Sequence, residues 1–295
     1  MKILVTGGGG GFIGGAFVNA LETSGHEITL YGHSAPVYET KAQFIFGDIL
    51  DEKKLSKLEK YDATVHMAGL LGTALTFGHI KQTAEVNIIG TLNMLDRQKH
   101  GGVFIQPNLL GKWLNPYMIT KHAAEQFGLM YGNEFPVKYI SVRLTDTFGP
   151  FQSEHHGKAI PTFIRKAIED KPLPVYGSGN YEMRLLYVRD AARILAGVLE
   201  RWEEMPRTLD VGSLQAENQI SVRSLAHEII RLTGSPSEVK HQPMRPGQPK
   251  ATTGYDVDLD QSRWLMKELG VTETPHDTAL RETIDWYQYM EDAAT

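Results

Sequence analysis

Tyr117-Met-Ile-Thr-Lys121 sets a phenol and an ammonium four residues apart. On a helix that spacing puts both on one face. A nearby ammonium favours phenolate and lowers a tyrosine pKa. A tyrosine so tuned can exchange a proton with a hydroxyl or carbonyl while hydride moves to or from a nicotinamide. The same pair also arises by chance on amphipathic helices, so its meaning depends on a cofactor site elsewhere in the chain.

Residues 1–15, MKILVTGGGGGFIGG, supply a candidate for that site. Ile3, Leu4 and Val5 form a continuous apolar run, as in a strand buried on both faces. Glycines occupy positions 7 to 11. Phe12 to Leu21 then has helical periodicity, with Phe12, Ala16, Val18 and Leu21 on the apolar face. Strand, glycine turn and helix open a dinucleotide-binding βαβ unit, and the helix N-terminus offers N–H groups and a positive dipole end to phosphates.

The elements that must position these groups follow in order. Glu27–Tyr31, Gln43–Phe46, Ala63–Met67, Val103–Ile105 and Val137–Val142 read as strands. A short charged helix carries Leu55 and Leu58, and long helices are expected at His79–Arg97 and Tyr117–Tyr131. This alternation predicts an α/β chain with a doubly wound, parallel Rossmann sheet. After Pro150 the rhythm breaks at Pro161, Pro172, Pro174, Gly177 and Gly179. Helices are expected at 158–170, 190–202, 221–233 and 276–290. The division that follows is a dinucleotide-binding domain at 1–150 plus about 190–212. A smaller mixed α/β substrate lobe takes 151–189 and 213–295, and ligands should lie in the cleft between the two.

The chain has 295 residues and a net charge of −5, which does not suggest a nucleic-acid or anionic-membrane partner. It has no cysteine, which excludes disulfides, thiolate metal sites and cysteine nucleophiles and fits a cytoplasmic location. No apolar run approaches the ~18 residues of a membrane span. His155-His156 reads as a surface pair rather than a metal site, and no metal site is expected.

Taken together, these motifs resemble the extended short-chain dehydrogenase/reductases, in particular the NAD-dependent epimerase/dehydratase group that modifies nucleotide sugars. Thr6 through Phe12-Ile13-Gly14 is similar to that family's cofactor loop, and the GxxGxxG spacing fits Gly8, Gly11 and Gly14. Gly47-Asp48-Ile49 resembles the segment that meets adenine. His66-Met67-Ala68-Gly69 resembles the segment beside the nicotinamide ribose, and Asn87 through Asn93 a helix signature. Tyr117 and Lys121 fall on the catalytic pair. Arg143 through Pro150, which contains Asp146, is similar to the strand-six motif. Arg184 and Arg245 match positions that hold a nucleotide-sugar diphosphate; apart from the resemblance, either could be an ordinary surface charge.

The resemblance implies an NAD(P)-dependent epimerase or dehydratase working by transient hydride transfer, with a homodimer formed through helices 79–97 and 117–131. The alternatives are an NAD(P)H-dependent ketoreductase of a nucleotide sugar or other ketone, and a cofactor-binding protein with weak or lost catalysis. Three departures stand out. The loop carries one extra glycine. The end of the second strand reads Tyr31-Gly32-His33-Ser34, without the acid that marks NAD selectivity, so NAD or NADP is expected, with His33 and Ser34 beside the ribose. The usual serine or threonine after the fifth strand is replaced within Gln106-Pro107-Asn108, and Asn108 or Gln106 is expected to give its amide to a substrate oxygen.

Overall fold

The computed structural model describes residues 1–111, 113–248 and 256–293. Its strands are β1 (Lys2–Thr6), β2 (Glu27–Gly32), β3 (Gln43–Phe46), β4 (Ala63–His66), β5 (Val103–Leu109), β6 (Lys138–Leu144), β7 (Asp146–Phe148), β8 (Leu173–Tyr176), β9 (Glu182–Tyr187), β10 (Thr208–Val211), β11 (Gln219–Ser221) and β12 (Val239–Gln242). The helices are α1 (Ile13–Ala20), α2 (Glu52–Leu55), α3 (Thr73–Gly78), α4 (Ile80–Ala84), α5 (Gly90–Gln98), α6 (Pro116–Glu134), α7 (Ala159–Ile168), α8 (Val188–Glu200), α9 (Val222–Thr233), α10 (Leu259–Leu269) and α11 (His276–Asp292).

Seven strands form one parallel sheet in the order β10-β6-β5-β4-β1-β2-β3. Ile3, Leu4 and Val5 are fully buried, as their apolar run requires of a central strand covered on both faces. One apolar cluster joins Ile3, Val5, Phe17, Val65, Ile105 and Leu195; another, on Leu4, Tyr31, Phe104 and Tyr139, includes Met94 and Leu95 of α5. The doubly wound Rossmann fold is therefore present. The smaller region has its own core around Phe163, Leu185, Leu225 and Leu280. It carries a three-stranded sheet, β11-β9-β7, and a two-stranded one, β12-β8.

Three elements differ from the sequence reading. Helix 79–97 is not uniform: a π-helical turn, Glu85–Ile89, separates α4 from α5. Strand β5 does not stop at Ile105 but runs on to Leu109, with Pro107 opposite Val142 and Asn108 opposite Arg143 of β6. Helix α10 was not anticipated, although Asp258 caps its N-terminus and Gly270 closes it in the left-handed conformation. Its Leu265 and Met266 join the core of the seven-stranded sheet, so this part of 213–295 packs with the first domain.

Candidate active site

The glycine turn is shaped by close approach. A Cβ on Gly14 would lie 2.6 Å from the Cα of Gly8, and one on Gly7 would lie 2.6 Å from the Ala68 nitrogen. Gly7 and Gly11 have φ of 73° and 80°, a region that glycine enters without a Cβ penalty. Gly11 also sits against the ring of Phe151, whose own φ is 64°. Gly10 has nothing within 4 Å of its Cβ position, so among the glycines from 7 to 11 it is the one with no steric demand. Phe12 precedes α1 without a side-chain cap, which leaves the helix N-terminal amides of Ile13, Gly14 and Gly15 facing the turn. Tyr38 closes the turn from outside by donating to the Gly8 carbonyl at 3.0 Å.

The residues around Asp48 and Met67 to Gly69 are held by the helix that crosses beneath them. Asn87 lies in the π turn; its side chain accepts from the Leu70 N–H at 2.7 Å and donates to the Leu70 carbonyl and the Thr120 hydroxyl. Gly90 makes room for Ile49, and Asn93 donates to the Ile49 carbonyl at 3.0 Å. Thr91 donates its only hydroxyl proton to the Asn87 carbonyl, so it must accept from Nε2–H of His66. The His66 Nδ1 then accepts from Thr6 at 2.7 Å. Burial brings the His66 pKa down to about 3, so it is a neutral structural residue. The signature from Asn87 to Asn93 thus braces the carboxyl ends of β3 and β4.

At the end of β2, His33 and Ser34 lie beside this edge. His33 Nε2 is 3.2 Å from an Asp48 carboxylate oxygen, while the other Asp48 oxygen accepts from the Leu50 N–H at 2.9 Å. The Ser34 backbone borders Gly9. No acid stands at Gly32.

Tyr117 and Lys121 do share a face at the start of α6. The helix begins there because Asn115 caps it, accepting from the Met118 N–H at 2.8 Å, and Pro116 fits the first turn. The electrostatics differ from the simple expectation. Burial pushes the Tyr117 phenol up to about 12, and the same cause brings Lys121 down to about 8. The Lys121 ammonium is turned to the Pro107 carbonyl, at 2.9 Å. Desolvation here outweighs any activation of the phenol by its neighbour.

Asn108 does not offer its amide to the cleft. It is 3% exposed, and Nδ2 donates to Tyr139 at 3.2 Å and to Ser141 at 3.0 Å. Tyr139 passes its proton to Gln106 and Ser141 passes its own to Glu125, which fixes the direction of the chain. Both amide protons are therefore committed inside the protein, because β5 continues as a strand and turns Asn108 towards β6. Gln106, 1% exposed, is held through its carbonyl oxygen, which accepts from Tyr139 at 2.8 Å.

Glu125, one turn beyond Lys121, went unnoticed in the sequence. It is 1% exposed and receives bonds from Ser141 and from Arg143 Nε, the latter at 2.7 Å. His122 lies 3.7 Å from its second oxygen. Burial opposes its charge, but His122, Arg143 and Ser141 overcome this and hold the carboxyl down to about 2. The i, i+4 and i+8 spacing of Tyr117, Lys121 and Glu125 was the available signal.

Of the two arginines, Arg184 donates to the Ser213 carbonyl at 2.8 Å and to Gln219, while its own N–H approaches Asp146 at 3.3 Å. Arg245 stacks 3.9 Å above the Tyr176 ring and donates to the Gly157 carbonyl at 3.1 Å. Each is held in place and retains further guanidinium N–H groups. Lys158, the residue that precedes α7, lies with its ammonium 5.9 Å from the centre of the Tyr117 ring. The side chain of His156 lies outside the described residues; no described helix is long and apolar enough to cross a membrane.

A glycine turn between β1 and β2 at the carboxyl edge of a parallel sheet, with a Tyr/Lys helix between β5 and β6, defines a Rossmann-type dinucleotide-binding protein. The model of the NAD dependent epimerase/dehydratase family matches residues 3–110 and 108–212, and the chain belongs to that family. A dTDP-glucose 4,6-dehydratase from Streptomyces niveus is 27% identical, with 98% of this chain and 93% of the relative covered. A UDP-N-acetyl-alpha-D-glucosaminuronate decarboxylase from Bacillus cytotoxicus is 26% identical over 98% of each chain. Among solved structures, the UDP-glucose 4-epimerase of Thermotoga maritima superposes with a TM-score of 0.87 at 23% identity, covering 99% of this chain and 100% of that one, which shows a shared fold.

Proposed function

We propose that this protein is an NAD-dependent epimerase of a nucleotide-activated sugar, with Tyr117 as acid and base and Lys121 as its electrostatic partner. The observation that carries the reading is the Tyr117–Lys121 pair beside the braced edge of β4, in a chain with a glycine turn built for close approach. Gly7, Gly8 and Gly14 let the turn pack tightly on Ala68, Leu30 and the start of α1, and the uncapped start of α1 offers a pyrophosphate N–H donors. Asp48, with His33 on one oxygen, faces the adenosine end, and Met67, Ala68 and Gly69 border the nicotinamide ribose. Several relatives solved with NAD support that choice of dinucleotide.

When bound, the nicotinamide takes up and returns a hydride. Positive charge on an oxidised nicotinamide, added to that of Lys121, would favour the Tyr117 phenolate, which would then take the proton of the substrate hydroxyl as the carbon is oxidised and give it back on reduction. Lys121 leaves the Pro107 carbonyl only in part; its three protons allow a ribose contact as well. Arg184 and Arg245 face the diphosphate. Epimerisation is preferred over dehydration because eliminating water needs a further acid–base pair, and residues 110–115, between β5 and α6, contain no carboxylate. Mass spectrometry of small molecules released by heating the purified protein tests the ligand assignment: NAD and a nucleoside-diphosphate sugar are expected, whereas NADP alone, or no dinucleotide, would contradict it.

The same reading includes a homodimer. Ile80, Ile89, Ile119, Phe127 and Met130 are exposed on α4, the π turn and α6 at 38–55%. Pairing these helices with those of a second copy would cover them. Sedimentation at micromolar concentration should give about twice the 32.9 kDa chain mass; particles of one chain mass would reject the dimer.

A further inference from the structure

On the β5 side, Asn108 has both amide protons committed to Tyr139 and Ser141, Gln106 is buried with its carbonyl oxygen on Tyr139, and neither carries a positive charge. A positive donor does stand over the Tyr117 ring, and it comes from the smaller region. Lys158 precedes α7, whose Ile160, Phe163 and Ile164 anchor it in the core of the smaller region, whereas Tyr117 stands on α6 against the large sheet. Its ammonium stands 5.9 Å from the centre of the Tyr117 ring. The residue as a whole is exposed, yet burial around the ammonium holds its pKa below the ordinary lysine value, with Asp146 of β7 opposing that shift. The preceding residue, Gly157, is fixed through the bond that Arg245 makes to its carbonyl.

We propose that Lys158 supplies, from the smaller region, the positive hydrogen-bond donor that β5 lacks, acting on the same substrate oxygen that exchanges its proton with Tyr117. This rests on the epimerase reading above. During oxidation the hydroxyl proton passes to the Tyr117 phenolate, and the electron pair of the C–H bond leaves as hydride to the nicotinamide. During reduction the hydride returns to the carbonyl carbon and Tyr117 returns the proton to oxygen. Lys158 keeps its own protons throughout; its hydrogen bond offsets negative charge on the oxygen between the two transfers. Asp146 keeps the lysine charged in a desolvated place, which gives that residue a part distinct from direct sugar contact.

The test compares Lys158→Met, Lys158→Arg and Tyr117→Phe in the full-length protein, with UDP-glucose as substrate and UDP as binding probe. Lys158→Met should lower kcat by about 10²-fold, the usual effect of losing one oxyanion donor, with KM and UDP affinity nearly unchanged. Lys158→Arg should recover a large part of kcat, because it restores charge and donors without restoring the shape of lysine. An unchanged kcat in Lys158→Met overturns the proposal. So does a weakened UDP affinity with kcat retained, which would make Lys158 a diphosphate ligand. If Tyr117→Phe abolishes turnover while Lys158→Met does not, this inference alone fails; if the wild-type protein turns over no nucleotide sugar, or Tyr117→Phe is as active as wild type, the epimerase reading fails first. Melting curves of all variants check that the fold is intact.

Discussion

The cofactor edge and the β5–α6 edge of the same sheet are organised by opposite means. At the cofactor edge, missing side chains do the work: Gly7, Gly8, Gly14 and Gly90 allow backbone and core atoms to approach, and Asn87, Thr91 and Asn93 tie the strand ends from below. At the β5–α6 edge, a buried polar chain runs from Asn108 through Tyr139 and Ser141 to Glu125 and Arg143. The first design tolerates little added volume. The second does not tolerate lost partners, because an unpaired buried charge keeps its full desolvation penalty.

That contrast can be broken most severely at Gly14. Gly14→Ala forces a Cβ to 2.6 Å from the Gly8 Cα and should abolish dinucleotide binding, measured by calorimetric titration with NAD. Gly10→Ala, with open space at its Cβ, should leave NAD affinity and melting temperature close to wild type, within about 0.5 kcal/mol. Equal effects of the two variants would show that the turn is simply flexible.

A smaller effect is expected from Glu125→Gln. Loss of the charge facing Arg143 should cost about 3 kcal/mol in denaturant unfolding at neutral pH. The sign with pH follows from the carboxyl held down to about 2. Its contribution is present above the unfolded carboxylate value of about 4.5 and is lost as pH falls from there through about 2. The difference between wild type and Glu125→Gln should therefore shrink over that window; a difference independent of pH would remove Glu125 from the charge network. His66, with its pKa near 3, contributes to acid loss in both proteins alike and cancels in the comparison.

A smaller effect than at Glu125 should come at Asn108. Asn108→Ala removes two donated bonds, about 1 kcal/mol each, so stability falls while kcat changes only a few-fold. A large fall in kcat with stability unchanged would return Asn108 to the substrate and weaken the contrast between the two edges.

Much of the first edge could be read in the sequence because its determinants are local. The apolar run of β1, the glycine turn and the start of α1 are contiguous, and each has a period or residue type of its own. The π turn escaped because one inserted residue barely alters helical spacing over 79–97, although it is what turns Asn87 inward. At the second edge, Tyr117 and Lys121 were legible as an i, i+4 pair. Their electrostatics were not, since desolvation depends on what packs over them. The apolar run Val103–Ile105 marked only the start of β5; the strand continues through Pro107, a residue usually absent from central ladders, and the Pro107 carbonyl receives Lys121. The orientation of Asn108 depends on Tyr139 and Ser141, and Lys158 reaches Tyr117 from another lobe. Neither relation leaves a mark in local sequence. Helix α10, by contrast, had legible signals in Asp258, Leu265 and Gly270.

The most direct test of the central claim is to follow a UDP-hexose epimer pair by proton NMR, with NAD supplied, in the wild-type protein and in Tyr117→Phe. Wild type should approach the same epimer ratio from either side without accumulating NADH, and Tyr117→Phe should be slower by about 10²- to 10⁴-fold while still binding NAD. Equal rates in the two proteins, or NADH formed in step with product, would contradict an epimerase that uses Tyr117 as its acid and base.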